Sequence, residues 1–132
     1  MSNPTATILI VDDEIQNRKL LELLLQDEGY LTLSAANGKE AMAIVAQHTP
    51  DLILLDVMMP DMDGYEVSTL LKSNLATVNI PIIMVSARDG HGARVIGLNS
   101  GAEEFLSKPV DRAELTLRVR NLLRLASSKP KH

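Results

Sequence analysis

The residues best suited to chemistry are acidic side chains that end apolar runs. Residues 52–64 read LILLDVMMPDMDG, so four apolar residues lead directly into Asp56. The apolar run that begins at Thr7 leads in the same way into the adjacent pair Asp12 and Asp13. A carboxylate beside buried residues needs a partner, because an unpaired buried charge is strongly unfavourable. These three aspartates are therefore the first candidates for a functional site.

Two further short apolar runs also lead into polar residues. IPIIMVSA, residues 80–87, carries Ser86 near its end, and EEFLSK, residues 103–108, ends in Lys108, which Pro109 follows. Short runs rich in aliphatic and β-branched residues are typical of strands. We predict five strands, at Thr7–Asp12, Tyr30–Ala35, Asp51–Asp56, Ile80–Ala87 and Glu103–Lys108.

Helical periodicity fills the segments between these strands. Apolar residues recur at helical spacing at Leu20, Leu21, Leu24 and Leu25, at Ala41, Ile44 and Val45, at Val67, Leu70 and Leu71, and at Leu115, Val119, Leu122 and Leu123. A fourth helix is predicted at about Gly92–Asn99, and the fifth from Arg112 to about Ala126. Three helix starts place a capping residue three positions before a glutamate: Asn37 with Glu40, Asp63 with Glu66, and Asp111 with Glu114.

Five strands alternating with five helices predict one α/β domain, a doubly wound (βα)5 fold with a parallel sheet. Strands one, three and four are apolar nearly throughout and should be central, whereas Thr32 and Ser34 suit the second strand to an edge. The simplest strand order is 2-1-3-4-5, the flavodoxin-like order. We assign residues 1–126 to the domain and residues 127–132 to a polar tail or the start of a linker. Such sheets bind ligands at the carboxyl ends of their central strands.

That rule brings Asp12, Asp13, Asp56, Ser86 and Lys108 to one edge of the sheet. Two carboxylates about 4 Å apart repel by about 4 kcal/mol at an effective dielectric constant of about 20, so the cluster needs a cation. Oxygen ligands without histidine or cysteine indicate a hard ion, and a few carboxylates with open positions suit Mg²⁺ better than Ca²⁺. A cation, a lysine and a hydroxyl around one carboxylate are parts typical of phosphoryl transfer.

Composition excludes several other classes of function. The chain has 132 residues, enough for one domain, and its lack of cysteine excludes disulfides, thiolate metal sites and a cysteine nucleophile. Its 17 acidic and 13 basic residues, a net charge of −4, argue against direct nucleic-acid binding. No apolar run approaches the ~18 residues that span a bilayer, and the start MSNPTAT does not resemble a signal peptide. We expect a cytoplasmic protein without a membrane partner.

Four motifs in order resemble the receiver domain of two-component response regulators, with a chemotaxis-regulator-like fold. They are DD at residues 12–13, DVMMPDMDG at 56–64, SA at 86–87 and GAEEFLSKP at 101–109, and the resemblance covers about residues 7–125. It implies a phosphorylation-activated signalling switch rather than a turnover enzyme. Asp56 would accept a phosphoryl group, with Mg²⁺, from a sensor histidine kinase or a histidine phosphotransfer protein.

The resemblance also implies roles for single residues. Asp12, Asp13, Asp56 and the backbone carbonyl of Met58 would hold the metal. Lys108, the Ser86 hydroxyl and the Ala87 N–H would bind the phosphoryl oxygens. Met58 and Arg88 occupy the two positions that tune hydrolysis, and both residue types should slow it.

Signalling would proceed, by the same resemblance, through Ser86 and Phe105. Ser86 would move towards the phosphoryl group and Phe105 would rotate, which changes the face formed by the fourth helix, fifth strand and fifth helix and so controls an output domain or effector. Many relatives carry tyrosine in place of Phe105 and threonine in place of Ser86. A phosphorylation-enhanced homodimer through this face is a further hypothesis, in which Arg94, Leu117 and Arg118 meet acids such as Glu103 and Glu104.

The Lys108–Pro109 bond is expected to be cis, because Lys108 must point inward while the chain turns at once into the last helix. Two other readings stay open. An independent enzyme on this topology is disfavoured, because GxxxxGK[ST] is absent and Gly90-His91-Gly92 is followed by Val95 where a dinucleotide-binding fingerprint needs a third glycine. The remaining alternative is a phosphorylation-independent pseudo-receiver that acts as an interaction module.

Overall fold

A computed structural model describes residues 5–87 and 91–128 of the chain. Strands and helices alternate along the chain throughout these residues. The strands are β1 (Thr7–Val11), β2 (Leu31–Ala35), β3 (Leu52–Asp56), β4 (Ile82–Ser86) and β5 (Glu104–Ser107). The helices are α1 (Ile15–Asp27), α2 (Gly38–Gln47), α3 (Gly64–Lys72), α4 (His91–Asn99) and α5 (Arg112–Ser128).

The five strands form one parallel sheet in the order β2-β1-β3-β4-β5, which confirms the predicted topology. The central strands β1, β3 and β4 are buried along nearly their whole length, as the apolar runs indicated. Parallel pairing aligns their carboxyl ends, since Val11 pairs with Leu55 and Asp56 pairs with Val85. The strand order therefore brings the polar residues that follow β1, β3, β4 and β5 to one edge.

The core consists of two aliphatic layers, one on each face of the sheet. Alternate residues of β1 divide between them: Leu9 and Val11 pack in one layer, and Ile8 and Ile10 pack in the other. These four side chains are fully buried. Burying an aliphatic side chain of this size contributes about 1.5–3 kcal/mol, so the two layers hold the sheet rigidly beneath its carboxyl edge.

The three predicted helix caps are all present as hydrogen bonds. Asn37 Oδ1 accepts the Glu40 N–H at 2.8 Å, Asp63 Oδ1 accepts the Glu66 N–H at 2.9 Å, and Asp111 Oδ2 accepts the Glu114 N–H at 2.8 Å. Helix α1 begins without a side-chain cap of this kind. These three capping residues therefore stabilise helix starts, and neither Asp63 nor Asp111 is part of the acidic cluster.

Parts of the predicted apolar stripes and boundaries differ from the structure. In α1, Leu21 and Leu25 are buried but Leu20 is 55% exposed, because it lies about 100° around the helix from Leu21. Helix α5 continues to Ser128, past the predicted end at Ala126, since neither following serine stops a helix as glycine or proline would. None of the helices within residues 5–87 and 91–128 is long and apolar enough to cross a bilayer.

Candidate functional site

The three predicted aspartates meet at the carboxyl edge of the sheet. Asp12 and Asp13 directly follow β1, and Asp56 ends β3. Their carboxylates each offer an oxygen within 4.8 Å of the others. Asp12 and Asp56 are 2% and 4% exposed, whereas Asp13 is exposed to solvent. The site thus combines two buried carboxylates with one that is open to an arriving ion.

Lys108 reaches this cluster from the end of β5. Its Nζ lies 3.2 Å from Asp12 Oδ2 and 3.2 Å from Asp56 Oδ1. The Lys108 backbone N–H donates to the Ser86 carbonyl at 2.8 Å, which ties the turn after β5 to the end of β4. The following bond to Pro109 is cis. One ammonium group is therefore shared between two buried carboxylates.

The electrostatic environment separates Asp56 from an ordinary carboxyl group. Burial, and secondly the Asp12 carboxylate, raise the pKa of Asp56 to about 6, although Lys108 and a hydrogen bond from the Met58 N–H oppose the shift. Burial alone would lower the pKa of Lys108, but Asp56 and Asp12 together raise it above its ordinary value. Asp56 is consequently mostly ionised near neutral pH, and Lys108 carries its charge.

Asp12 is fixed by contacts that the sequence did not indicate. Its Oδ1 accepts the Glu14 N–H at 2.8 Å, which satisfies a backbone donor at the start of α1. Its backbone N–H donates to the Ala35 carbonyl at 3.1 Å, and its carbonyl accepts a hydrogen bond from Arg18 Nη1 at 2.7 Å. The only sequence signal for Arg18 was its place in the first turns of the helix that follows the acidic pair.

The loop after Asp56 is shaped by Gly64. The Gly64 N–H donates to the Val57 carbonyl at 3.0 Å, which folds the β3–α3 loop back on its own start. A β-carbon at position 64 would lie 2.4 Å from the Asp56 carbonyl oxygen, far inside contact distance. Only glycine therefore fits while the loop holds Asp56 in place. Met58 lies on this loop and is 52% exposed.

Ser86, Ala87 and Phe105 lie where the sequence predicted. Ser86 is fully buried at the end of β4, and Ala87 follows it with its side chain exposed. Phe105 in β5 is 5% exposed and packs in the same core layer as Leu9. Arg88, which was assigned a role in tuning hydrolysis, lies outside the described residues.

The proposed dimer face contains ion pairs within the chain. Arg118 Nη1 lies 3.6 Å from Glu104 Oε1. Glu103 is bound by Lys72, whose Nζ lies 2.8 Å from Glu103 Oε2, so this acid already has a partner in its own chain. Leu117 is 51% exposed, and nothing is described of the Arg94 side chain. The structure thus places only part of the predicted contact set on an accessible surface.

The residues present fit a hard divalent cation. Three carboxylates converge on one point and one of them is exposed, a set of oxygen donors that suits an ion keeping several water ligands. One lysine leaves part of their negative charge uncompensated. The site can therefore accept a small cation and an anionic group together.

A doubly wound parallel sheet with clustered carboxylates and a largely buried lysine at its carboxyl edge defines a class, the flavodoxin-like α/β domains with an acidic site at the strand ends. The comparisons narrow the class to one family. The chain belongs to the response regulator receiver domain family, whose model matches residues 8–120.

Individual relatives, compared by sequence and by structure, support the assignment to this family. The chain is 48% identical over 120 residues to the response regulator PleD of Caulobacter vibrioides, a match that covers 91% of this chain and 26% of PleD. A putative response regulator from Chloroflexus aurantiacus superimposes with a TM-score of 0.89 at 36% identity, over 92% of this chain and 99% of that one. A probable two-component system response regulator/GGDEF domain protein gives 0.87 at 29% identity, over 93% of this chain and 51% of that one.

The chain corresponds to only part of each curated relative. It spans from 26% to 52% of their lengths. The shared part is the receiver domain of two-component signalling.

Proposed function

We propose that this domain is a phosphorylation-activated switch in which Asp56 accepts a phosphoryl group from a histidine kinase or a histidine phosphotransfer protein. One observation carries the proposal: a buried Asp56 carboxylate lies among two further carboxylates and a lysine whose Nζ is 3.2 Å away. In the reaction, an Asp56 oxygen bonds to phosphorus while the bond from phosphorus to the donor nitrogen breaks. Its raised pKa of about 6 still leaves it ionised, and therefore nucleophilic, near neutral pH.

Asp12, Asp13, Asp56 and the Met58 backbone carbonyl would hold Mg²⁺. When bound, this ion supplies positive charge that offsets the repulsion between the phosphoryl oxygens and the carboxylates. Arg18 and Glu14 hold Asp12 through its carbonyl and its Oδ1, so that carboxylate is positioned before any ligand arrives. Preorganised charges of this kind need little rearrangement during the reaction.

Lys108 would act on the incoming phosphoryl group directly. Its side chain is only 20% exposed and its ammonium bridges Asp12 and Asp56, so the ammonium can exchange part of this pairing for a phosphoryl oxygen without leaving the site. The Ser86 hydroxyl and the Ala87 N–H would bind the other oxygens from the end of β4. All three groups lie at the carboxyl ends of β4 and β5. The hydrogen bond from the Lys108 N–H to the Ser86 carbonyl joins these two strand ends.

The output would be a change of the face formed by α4, β5 and α5. Movement of Ser86 towards the phosphoryl group opens space into which Phe105 can turn from its buried position. Val95, Ile96 and Leu117 already expose apolar surface on this face, 38%, 53% and 51% respectively, which suits a protein partner or a second copy. One structural relative is a probable response regulator/GGDEF domain protein, so a GGDEF output domain is one candidate.

The experiment is mass spectrometry of the intact chain incubated with acetyl phosphate, with and without Mg²⁺. We expect one phosphoryl group on the wild type with Mg²⁺ and none on Asp56→Asn. Asp63→Asn is the matched control, because it makes the same chemical change in the same loop and asparagine caps a helix as well as aspartate does. Phosphorylation of Asp56→Asn would disprove the assignment. A wild type that takes up no phosphoryl group would favour the pseudo-receiver alternative.

We also propose that the phosphorylated state is long-lived, lasting many minutes. Met58 offers only a weak acceptor to a hydrolytic water, and Arg88, two residues beyond Ser86, can pair with phosphoryl oxygens and crowd the water's approach. Met58→Asn would place an amide on this exposed position and should speed phosphate release about tenfold, equivalent to about 1.4 kcal/mol. Phosphate release from the purified phosphoprotein measures this, and equal rates in both proteins would contradict it.

A further inference from the structure

Helix α4 contains a buried glycine that its backbone does not require. Gly97 lies inside this helix, where glycine weakens helix formation relative to alanine. Among the described glycines only Gly29 and Gly101 have positive φ, so the backbone at position 97 would accept alanine without strain. The reason for glycine must therefore lie in the space around it.

That space is taken by the aromatic ring of Phe105. A β-carbon at position 97 would lie 3.0 Å from Phe105 Cδ2 and 3.4 Å from Cε2, closer than the 3.5–4.0 Å or so at which carbon atoms pack best. The same β-carbon would lie 3.6 Å from Met84 Cγ. Met84 pairs with Phe105 on the neighbouring strand and is fully buried. The ring is thus enclosed between α4 and the sheet.

We propose that Gly97 sets the balance between the two positions of Phe105, because only its missing side chain leaves room for the buried ring. This inference rests on the proposed function and adds to it a positioning residue that acts only through Phe105. A methyl group at position 97 would crowd the buried position of the ring and leave a rotated position untouched. Gly97→Ala should therefore shift the unphosphorylated domain towards its activated conformation.

Binding of a phosphoryl mimic is coupled to the equilibrium between the two conformations, so Gly97→Ala should also change the affinity for the mimic. A phosphoryl mimic that prefers the activated conformation binds more tightly when that conformation is more populated beforehand. We expect Gly97→Ala to lower the half-saturating concentration of beryllofluoride, in the presence of Mg²⁺, by roughly threefold to tenfold. The crowding concerns a few tenths of an ångström, so a larger change is not expected.

The chain offers a direct probe of the ring, because Phe105 is its only phenylalanine. Growth on a fluorinated phenylalanine labels this residue alone and gives one ring signal in a fluorine NMR spectrum. The wild type defines the signal without and with saturating beryllofluoride. The free Gly97→Ala protein should show a signal moved towards the saturated position. A signal identical to that of the free wild type would overturn the proposal.

The control is the same substitution in a Phe105→Leu background, where beryllofluoride binding is followed by thermal melting. Leucine lacks the ring atoms that crowd position 97, so Gly97→Ala should no longer change the affinity for beryllofluoride. Any gain in thermal stability from the better helix propensity of alanine should persist. An equal change in affinity in both backgrounds would refute a role through the ring. If Gly97→Ala alone does not fold, the double variant must restore folding for the proposal to stand. A wild type that binds no beryllofluoride would instead contradict the proposed function.

Discussion

Two largely buried lysines lie at opposite edges of the sheet, and their surroundings differ. Lys72 Nζ, beyond the amino ends of β4 and β5, donates to the Val78 carbonyl at 3.1 Å, the Ile80 carbonyl at 2.7 Å and Glu103 Oε2 at 2.8 Å. An ammonium group has three donors, so its hydrogen bonding is complete. Lys108, at the carboxyl edge, instead lies between two carboxylates at 3.2 Å each.

The difference distinguishes a structural ion pair from a ligand site. Within residues 5–87 and 91–128, Glu103 is the one acid paired with Lys72, and its other oxygen accepts the Ile82 N–H at 2.8 Å. At the other edge Lys108 pairs with the Asp12 and Asp56 carboxylates, and the Asp13 carboxylate lies in the same cluster. Negative charge therefore remains in excess, and the pKa of one acid, Asp56, is raised to about 6. The charges of Lys72 and Glu103 neutralise each other, so this pair stabilises the fold. The excess negative charge around Lys108 instead indicates a site where a cation can bind.

The largest expected effect comes from removing the lysine of the unbalanced site. Lys108→Met should slow phosphoryl uptake from acetyl phosphate roughly 1000-fold, because an oriented charge worth several kcal/mol in the transition state is lost. Lys72→Met is the matched control, since it makes the same change at the other edge, and its uptake rate should stay within about twofold of the wild type. Rates come from intact-mass time courses. Similar slowing in both variants would erase the distinction between the two lysines.

The next effect concerns the pH dependence of stability in metal-free buffer. The folded-state pKa of Asp56, about 6, lies above its ordinary value of 3.8, so protonated Asp56 favours the folded state. That contribution is fully present below about pH 3.8 and is lost as pH rises through about 6, a change of about 3 kcal/mol.

Asp56→Asn removes this titration and should be more stable than the wild type near pH 7.5, by up to about 3 kcal/mol. The advantage should shrink as the pH falls towards 5. Urea unfolding of both proteins in EDTA at several pH values measures it. Stability curves that run parallel from pH 5 to 7.5 would show that Asp56 titrates normally.

The smallest effect is the loss of the balanced pair. Lys72→Met should lower the free energy of unfolding by about 2 kcal/mol, less than a fully buried pair would lose because the Glu103 side chain is 38% exposed. Glu103→Gln should cost less, since its amide oxygen can still accept the Ile82 N–H. The double variant should lose less than the sum of the single losses, as coupled residues do. Strict additivity would indicate that the two side chains do not interact.

The topology and the acidic cluster were predictable because local patterns determine both. Apolar runs of strand length identified β1, β3 and β4 as central strands, and the parallel order then required Asp12, Asp56 and Lys108 to share an edge. The helix caps were equally local, each joining residues three positions apart.

Contacts between distant segments could not be predicted in this way. Lys72 and Glu103 are separated by 31 positions, and neither lies in a pattern that indicates a partner. In the sequence Gly97 is only a residue that lowers helix propensity, and the packed structure alone shows Phe105 beside it. Leu20 was predicted to belong to the apolar stripe of α1, but the helix buries only Leu21 and Leu25 and leaves Leu20 exposed. Exposure and enclosure depend on how the elements pack, which periodicity does not encode.

The close approach of Gly64 to the Asp56 carbonyl has a consequence for mutational surveys of this domain. In a saturation screen scored by signalling, every substitution at position 64 should score as badly as loss of Asp56, because each adds a β-carbon 2.4 Å from that oxygen. Ranked by score alone, Gly64 would be mistaken for a reactive residue. A parallel screen for cellular abundance would separate them: variants of Gly64 should be depleted as misfolded protein, while Asp56→Asn should accumulate normally.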